Sequence, residues 1–297
     1  MSEPIPEELA SAHLRFAELV ADIRPQLHRY CARMVGSTID GEDVVQDALA
    51  RAFYALSMMT EVPALKPWLF RIAHNRAIDH LRRHDRRSGE ELDEAVMPAH
   101  VETPLEDREI AAAAMALFLE LTPLQRSCVI LKDVLGYSLA EVSEVLDATV
   151  PAIKAALHRG RERLRALAAG GMPEAPPPLD GPTARTLARY VELFNARDWD
   201  GLRALLADDV QLELVGRARR TGALVGEYFS NYERKDDWRF HVGSVEGRPA
   251  LVASDPTTGS DDPVYFVLLQ LGGDGRVRGI RDFRYARYVM RDAAVTV

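Results

Sequence analysis

The first half of the chain alternates apolar and polar residues with the period of an α-helix. From Leu14 to Leu81, apolar residues recur at spacings of three and four, and few glycines or prolines interrupt them. This pattern predicts a bundle of amphipathic helices. Between His84 and Asp107 the pattern dissolves into charge, which is typical of a linker. Helical periodicity then returns from Ile110 to Leu167.

The second half begins with a spacer and then changes period. Ala168 to Pro182 holds three glycines and five prolines, the composition of a semi-rigid spacer. Thr183 to Leu206 predicts one or two helices, after which Val210, Leu212 and Leu214 alternate onto one strand face. An apolar run from Val264 to Leu271 ends at a glycine-rich turn that leads into a further strand over 276–289. Helices followed by an antiparallel sheet predict an α+β domain.

Composition limits the class of protein. No apolar stretch approaches the roughly 20 residues needed to span a bilayer, and the first nine residues lack the basic-then-apolar order of a secretory signal. We therefore expect a cytoplasmic protein without a membrane contact. Cys31 and Cys128, the two cysteines of the sequence, lie in helical patterns and are expected to be buried thiols. They form neither a disulfide framework nor a cysteine-rich zinc site, so we expect no metal and no cofactor.

The charge distribution is more informative than the net charge of -8. Nucleic-acid-binding domains are usually basic, but exposed charges are screened over about 8 Å at physiological salt. A local basic cluster can therefore bind phosphate on an acidic protein. Two clusters qualify, the first comprising Arg71, Arg76, Arg82, Arg83, Arg86 and Arg87, and the second Lys154, Arg159, Arg161, Arg163 and Arg165.

The second cluster lies on a predicted helix-turn-helix. Leu139, Val142 and Leu146 share one face of a short helix, and a second apolar face follows at 153–164. Thr149 can cap the second helix, and Pro151 suits its first turn, where no N–H donor is required. The N-terminal part of this helix enters the major groove in such motifs. Lys154 is the candidate base reader, and Arg159, Arg161 and Arg165 are candidates for phosphates. A solvated basic face is the alternative.

Three stretches, Leu121–Arg126, Asp133–Val142 and Lys154–Leu164, resemble region 4 of extracytoplasmic-function sigma factors. The resemblance implies a domain that reads the minus-35 promoter element and touches the β flap of RNA polymerase. Ala155 and Ala156 depart from the more usual Ser-Arg pair at this point of the family. The implied minus-35 contacts are Thr149, Pro151, Lys154, Ala155, His158, Arg159 and Arg161.

An acidic helical segment in the first domain, Gly41–Phe53, has one apolar and one polar face. Val44, Ala48 and Phe53 can face the bundle, and acidic residues suit the positive end of the helix dipole. The segment resembles sigma region 2.2, which implies docking on the clamp helices of the polymerase β′ subunit. The implied docking residues are Asp43, Gln46, Asp47 and Arg51, and a purely solvated face is the alternative.

The following stretch, Lys66–Arg83, is similar to sigma regions 2.3 and 2.4. The resemblance implies a surface that opens the minus-10 duplex and captures an unstacked base, with a pocket shaped by the loop at about 60–66. Asn75 can form paired hydrogen bonds with a base edge, and arginines suit phosphates. We expect Trp68 to pack in the core. The candidate minus-10 residues are Arg71, Asn75, Arg76, Arg82 and Arg83.

The last domain carries a separate resemblance. Tyr190–Asp200, Leu202–Asp209 and Val210–Val215 resemble the opening of a SnoaL-like domain, a curved sheet wrapped by helices into a cone similar to nuclear transport factor 2. Some such cones are enzymes that move protons with an aspartate. For Asp282 we expect a surface ion pair with its arginine neighbours, and for His241 a structural role. The candidates for a cone pocket or an interdomain contact are Tyr228, His241, Asp282, Arg284 and Tyr285.

Together these patterns predict a multidomain protein of two all-α sigma domains and an α+β cone. We expect an alternative sigma factor, not an enzyme, that binds core RNA polymerase and promoter DNA, with the cone regulating it in cis through an intramolecular contact. A DNA-binding transcription regulator is one alternative, and a sigma factor with a small-molecule-binding or enzymatic cone is another. The predicted boundaries are 1–88 for region 2, 89–109 for a linker, 110–168 for region 4, 169–182 for the spacer and 183–297 for the cone.

Overall fold

The computed structural model describes residues 15–59, 61, 63–88, 115–169, 181–222, 225 and 228–297. The chain divides into two compact units, 1–173 and 174–297, and the division falls inside the predicted spacer. The predicted linker at 89–109 and most of that spacer lie outside the described residues. Within the described ranges, no helix is long and apolar enough to cross a membrane.

The first unit begins with a helical bundle, as predicted. Residues 15–20 are helical, and three longer helices follow: α1 (Arg24–Val35), α2 (Thr38–Ser57) and α3 (Leu65–Ser88). The side chain of Ser37 caps α2 by accepting the N–H of Asp40 at 3.1 Å. Gly41 lets α1 and α2 approach closely, because a Cβ there would lie 2.5 Å from Ala32 Cα.

The first unit continues with shorter helices: α4 (Met115–Leu119), α5 (Pro123–Val129), a π-helical turn (Ile130–Val134), α6 (Leu139–Leu146) and α7 (Val150–Ala169). A reciprocal capping box starts α6, since Ser138 accepts the N–H of Glu141 at 3.2 Å and Glu141 accepts that of Ser138 at 2.8 Å. The pair α6–α7 is the predicted helix-turn-helix. Its inward residues Val142, Ile153 and Leu157 are buried as expected.

One hydrophobic core joins all the helices of the first unit. Buried residues of α1–α3 and of α4–α7 belong to a single cluster. At its centre Phe70 of α3 packs against Tyr137, with ring centroids 5.2 Å apart. Cys31 and Cys128 are buried as free thiols, as predicted. Trp68 is half-buried against this core, again as predicted.

The described residues of the second unit form three α-helices and one seven-stranded sheet. The helices are α8 (Gly181–Asn195), α9 (Trp199–Ala204) and α10 (Phe229–Glu233). The strands are β1 (Leu206–Leu214), β2 (Ala218–Thr221), β3 (Arg239–Val245), β4 (Arg248–Ser254), β5 (Pro263–Leu271), β6 (Val277–Asp282) and β7 (Val295–Thr296). Their order in the sheet is β2-β1-β6-β5-β4-β3-β7. Helix α8 starts at Gly181, two residues before the predicted boundary, because Pro182 is tolerated in a first helical turn.

The expectation of an antiparallel sheet is wrong at one pair of strands. β1 and β6 run parallel, with Leu214 opposite Asp282, whereas the other described strand pairs are antiparallel. Strands joined by a hairpin must be antiparallel. No hairpin joins β1 to β6, because β2 to β5 lie between them in the sequence, so this pair is free to be parallel. The strand predicted over 276–289 ends at Asp282, and a 3₁₀ turn follows at Arg287–Arg291.

Aromatic side chains fill the space between this sheet and its helices. Phe194 of α8 contacts the rings of Phe229, Trp238 and Phe240 with centroids 6.0, 5.1 and 4.8 Å away. Val210, Leu212 and Leu214 point into this core, as the alternation predicted. The second unit is therefore an α+β cone with a packed aromatic interior.

Candidate functional site

Helix α7 begins as its sequence predicts. The hydroxyl of Thr149 accepts the N–H of Ala152 at 3.4 Å, and Pro151 lies in the first turn. These two features fix where the helix starts. The outward face then presents Pro151, Lys154, Ala155 and Arg159 to solvent, while His158 is half-buried with its Nε2 3.6 Å from Glu162 Oε2.

The expectation that Arg161 faces outward is wrong. Its guanidinium donates to both carboxylate oxygens of Asp133, at 2.9 and 2.5 Å, and the Asp133 side chain is 1% exposed. Arg161 lies four residues after Leu157 and three before Leu164, so helical geometry places it beside the buried face. This ion pair ties the reading helix to the π-helical turn, and we remove Arg161 from the DNA-contacting set.

The predicted docking residues lie along α2, with Val44 and Ala48 buried behind them as expected. Asp43 and Arg51 are exposed, whereas Gln46 and Asp47 are half-buried. Asp47 lies 3.3 Å from Arg51 and 3.7 Å from Arg76. The docking face is therefore continuous with α3.

Sequence reasoning missed two groups on α2 and at its C-terminal end. Tyr54 and Met58 are 67% and 72% exposed, and they continue the stripe of Asp47 and Arg51 at helical spacing. The signal available in the sequence was the spacing, because Tyr54 and Met58 continue the polar positions 47 and 51 at intervals of three and four residues. Glu42 is the second miss, because it is fully buried and paired with Arg24 although it sits in an acidic run.

The candidate minus-10 residues divide into exposed and engaged groups. Asn75, Arg82 and Arg83 are exposed on α3. Arg71 is exposed as well, but it donates to the backbone oxygen of Glu144 at 2.8 Å. Arg76 is half-buried between the carboxylates of Asp79 and Asp47. In the loop at 60–66, residues 60 and 62 lie outside the described part of the chain.

A buried polar cluster lies beneath α3. Tyr30 Oη is 2.8 Å from His74 Nδ1 and 3.2 Å from Ser127 Oγ, and the Ser127 hydroxyl also donates to the oxygen of Pro123 at 2.8 Å. Burial lowers the pKa of His74 to about 4, so the imidazole is neutral at pH 7. No local pattern in the sequence indicates this cluster, because its members come from three separate helices.

The surface ion pair expected for Asp282 is wrong. The side chain is fully buried, and its Oδ2 accepts the hydroxyls of Tyr232 at 2.7 Å and Tyr228 at 3.0 Å. Its Oδ1 accepts the N–H of Arg284 at 2.8 Å. Burial raises the pKa of Asp282, and these hydrogen bonds oppose the rise. The adjacent Arg281 pairs with Glu213 instead, because alternation along β6 directs it to the other face.

The other cone candidates have different partners. Arg284 is buried and donates to Tyr265 Oη at 2.9 Å and to Asp237 at 2.5 Å. His241 Nε2 lies 3.2 Å from Ser254 Oγ on the neighbouring strand, which fits the structural role expected for it. Tyr285 is 39% exposed and lies under the guanidinium of Arg217, 3.9 Å from the ring centroid.

No metal centre is apparent in the part of the chain that the structure describes. Among these residues, no group of three or more histidine, cysteine, aspartate or glutamate side chains is placed to hold an ion.

Comparison with known proteins places these surfaces in a family. Residues 19–87 match Sigma-70 region 2, residues 111–164 match Sigma-70, region 4, and residues 187–283 match the SnoaL-like domain. The ECF RNA polymerase sigma factor SigG of Mycobacterium tuberculosis is 31% identical over an alignment of 218 residues that covers 64% of this chain and 59% of SigG. The RNA polymerase sigma-E factor of Streptomyces coelicolor is 30% identical over an alignment of 156 residues that covers 51% of this chain and 85% of that protein. The chain belongs to the extracytoplasmic-function sigma factors.

This sigma factor combines the two helical regions of its family with a SnoaL-like cone, so the predicted resemblances and fold class are confirmed. The chain spans only 59% of the length of SigG. The solved structure of the Mycobacterium tuberculosis sigma factor SigJ is 19% identical, with a TM-score of 0.35 over 89% of this chain and 95% of SigJ.

Proposed function

We propose that this chain is an alternative sigma factor that binds core RNA polymerase in the cytoplasm and directs promoter-specific initiation of transcription. The observation that carries the proposal is the occurrence of a region 2 match and a capped reading helix in one chain. A conventional transcription regulator uses a reading helix but has no need for a polymerase-docking region upstream of it.

At the minus-35 element, Lys154 reads a base edge in the major groove, and Arg159 contacts phosphate. Both are exposed on the first half of α7, where such helices meet DNA. Ala155 lies between them and leaves room for close approach of the helix. Thr149 and Pro151 set the start of the helix, and His158 lies at the edge of the contact. The same domain is the proposed contact for the polymerase β flap.

Docking on the β′ clamp helices uses a stripe of exposed and half-buried residues along α2 and at its C-terminal end. Asp43, Gln46, Asp47 and Arg51 supply the polar part, and Tyr54 and Met58 supply an apolar end. Tyrosine and methionine are enriched at protein interfaces, which supports their place in this surface. The stripe leads directly to α3, whose residues Arg71, Asn75, Arg82 and Arg83 bind the minus-10 region, with Arg76 at its buried edge.

For the cone we propose a regulatory role in cis, through an intramolecular contact with the sigma regions. Its segment 281–288 supports this role, because Tyr285 and Arg287 are exposed there and both residue types are enriched at interfaces. Asp282 supports a regulatory cone over a catalytic one, because both of its carboxylate oxygens already accept hydrogen bonds from groups of the protein itself.

Proton transfer by the cone is the second candidate function. A buried carboxylate whose pKa is raised favours it, because such groups serve as acids and bases at neutral pH. Loss of turnover, or of a ligand retained through purification, on Asp282→Asn would establish this role. Unchanged ligand content in that variant would leave the regulatory cone in place.

The decisive experiment is transcription in vitro on a library of genomic templates. Full-length protein, or residues 1–170, is added to core polymerase and the transcript starts are sequenced. New starts that share upstream elements support sigma activity, and a difference between the two chains gives the sign of control by the cone. No new starts from either chain, with soluble protein and active core, would refute the proposal in favour of a DNA-binding regulator.

A further inference from the structure

The buried residues of α7 define the midline of its outward face. An α-helix turns by about 100° per residue, so the side chain of Leu164 points in the direction opposite to that of Ala155. Ile153 and Leu157 lie within about 20° of the direction of Leu164, and all three are buried in the core of the first unit. Ala155 is exposed. It therefore lies near the centre of the face that the helix turns away from the core.

The rotation of α7 about its axis is fixed by two contacts on its inner side. Arg161 donates to both carboxylate oxygens of Asp133, at 2.9 and 2.5 Å. Gly160 allows close packing on α5, because a Cβ there would lie 2.9 Å from Cγ2 of Val129. A helix held in this way presents the same residues to every DNA sequence that it meets.

The centre of this reading face is apolar. Pro151, Ala152 and Ala155 are exposed, and their side chains consist of carbon and hydrogen alone. The hydroxyl of Thr149 already accepts the N–H of Ala152 at 3.4 Å. Lys154 is exposed and supplies a flexible hydrogen-bond donor, but it lies about 100° around the helix from Ala155. Polar readout therefore comes from the side of the face, and its centre offers a methyl group.

The structure separates the two alanines that stand in place of the more usual Ser-Arg pair. Ala156 is fully buried in the core cluster, so it presents no surface to a base. Ala155 is the exposed member of the pair. The change at position 155 is therefore the one that affects the choice of base.

A methyl group at this position discriminates between bases. Every base edge in the major groove displays a hydrogen-bond donor or acceptor, and thymine adds a methyl group. Covering a donor or acceptor with alanine removes its water without replacing the hydrogen bond, which costs free energy. Covering the thymine methyl removes apolar surface from water, which is favourable. Ala155 therefore favours thymine over the other three bases.

We propose that Ala155 determines specificity by contacting the C5 methyl group of a thymine in the minus-35 element. The inference rests on the function proposed above. Pro151 and Ala152 lie one turn earlier on the same face, since residues three and four apart are neighbours on a helix, and they extend the apolar surface around the methyl group. Lys154 reaches the polar edge of a neighbouring base pair from the side.

Replacing thymine with deoxyuridine tests the contact, because this change removes the methyl group and keeps the hydrogen-bonding edge. The minus-35 element is first located from the transcript starts that the full-length protein selects with core polymerase. Each thymine of the element, on either strand, is then changed singly, and the affinity of the polymerase complex is measured. We expect one position at which binding weakens about fourfold, the effect of one buried methyl group. Unchanged binding at every position, or an element without an A·T pair, would overturn the proposal.

Two variants connect the effect to position 155. In Ala155→Gly the methyl partner is absent, and in Ala155→Ser a hydroxyl that accepts either kind of edge takes its place, so the difference between thymine and deoxyuridine should fall below about twofold in both. Ala166→Gly is the matched control, because it makes the same change at an exposed position late in α7 and weakens the helix similarly. This control should keep the full difference. A full difference in both variants at position 155 would assign the methyl contact to another residue and refute the proposal.

The outcomes separate this inference from the proposed function. If the full-length protein selects no shared upstream element with core polymerase, the sigma proposal has failed and the inference falls with it. If an element is selected but deoxyuridine has no effect, the sigma proposal stands, and Ala155 serves only to let the helix approach the DNA.

Discussion

Lys154 and Arg159 share an exposed face of α7, but their positions along the helix separate their roles. Lys154 lies in the first two turns, where base edges are reached. We expect Lys154→Ala to lower the preference for matched over scrambled minus-35 DNA by about 1 to 3 kcal/mol, as measured by competition binding of the polymerase complex. Equal losses on both DNA sequences would contradict the base-reading role.

Arg159→Ala should have the opposite signature. Loss of one phosphate contact weakens binding to all sequences alike and flattens the logarithmic salt slope by about 0.9. The measurement is a salt titration of binding on the same two DNAs. Arg163→Ala is the control, since that side chain is exposed but lies 3.4 Å from Glu120, away from the proposed contact.

Tyr54 and Met58 are expected to contribute to affinity for core polymerase and little to folding. Replacing either with alanine should weaken core binding by more than about 1 kcal/mol, since buried aromatic anchors dominate interfaces. Thermal stability should be unchanged because both side chains are exposed. Val297→Ala, which removes a similarly exposed apolar side chain, is the control. Core binding equal to that of the wild type would contradict a role for Tyr54 and Met58 in docking.

The buried carboxylate of Asp282 should make the stability of the cone depend on pH. Burial raises the pKa of Asp282, so the folded state binds its proton more tightly than the unfolded chain. Its contribution is therefore complete below the ordinary pKa of about 4 and is lost as the pH rises through the raised value. Asp282→Asn cannot titrate and should lack this slope.

The comparison is made by urea unfolding at several pH values in a Trp68→Phe background, where Trp199 and Trp238 report on the cone. The difference in unfolding free energy between wild type and Asp282→Asn should shrink as the pH rises. A difference that stays constant with pH would contradict the assignment. Asp236→Asn is the control, because that carboxylate is largely exposed.

At the scale of elements, the crossing of α1 and α2 depends on one missing side chain. In Gly41→Ala the new Cβ would meet the backbone of Ala32 at 2.5 Å, and the backbone cannot rotate aside. We expect the helices to separate and the unfolding free energy to fall by about 1 to 3 kcal/mol. The measurement is urea unfolding. Gly273→Ala, with nothing within 4 Å of the added carbon, should lower the unfolding free energy by much less.

The helix-turn-helix could be predicted from sequence because its signals are local. The capping residues Ser138 and Thr149 and the apolar spacing of Val142 and Ile153 all lie within a few residues of the element they define. The parallel pairing of β1 with β6 has no such signal. Its register depends on residues nearly 70 positions apart, such as Leu214 and Asp282.

The site residues show the same division. The outward face of α7 followed from helical period, and the error at Arg161 arose because Asp133, its buried partner, lies 28 residues away. Asp282 was assigned to its arginine neighbours because adjacency is visible in a sequence, whereas the tyrosine hydroxyls come from 50 and 54 residues upstream. The face of a helix on which a side chain lies could be predicted from its neighbours in sequence. The distant residue with which that side chain pairs could not.

At the scale of the whole molecule, the shared core of the first unit should couple its halves during unfolding. The Tyr30–Ser127 contact and the Phe70–Tyr137 contact are lost together when either half unfolds. We expect coincident urea midpoints for Trp68 fluorescence in region 2 and for a dye at Ala166→Cys in region 4, as in a two-state transition. Trp199 and Trp238 are replaced by phenylalanine to isolate the signal. Two separated midpoints would show that the halves unfold independently.

The parallel pairing of β1 with β6 also has a consequence for the order of events during synthesis. β1 lies between β2 and β6, so the sheet is incomplete until residues up to Asp282 have been made, more than 100 residues after α7 ends at Ala169. At about 5 to 20 residues per second, that interval lasts about 6 to 20 seconds. Each newly made chain therefore passes through a period in which its sigma regions are complete and the domain proposed to control them has not yet folded.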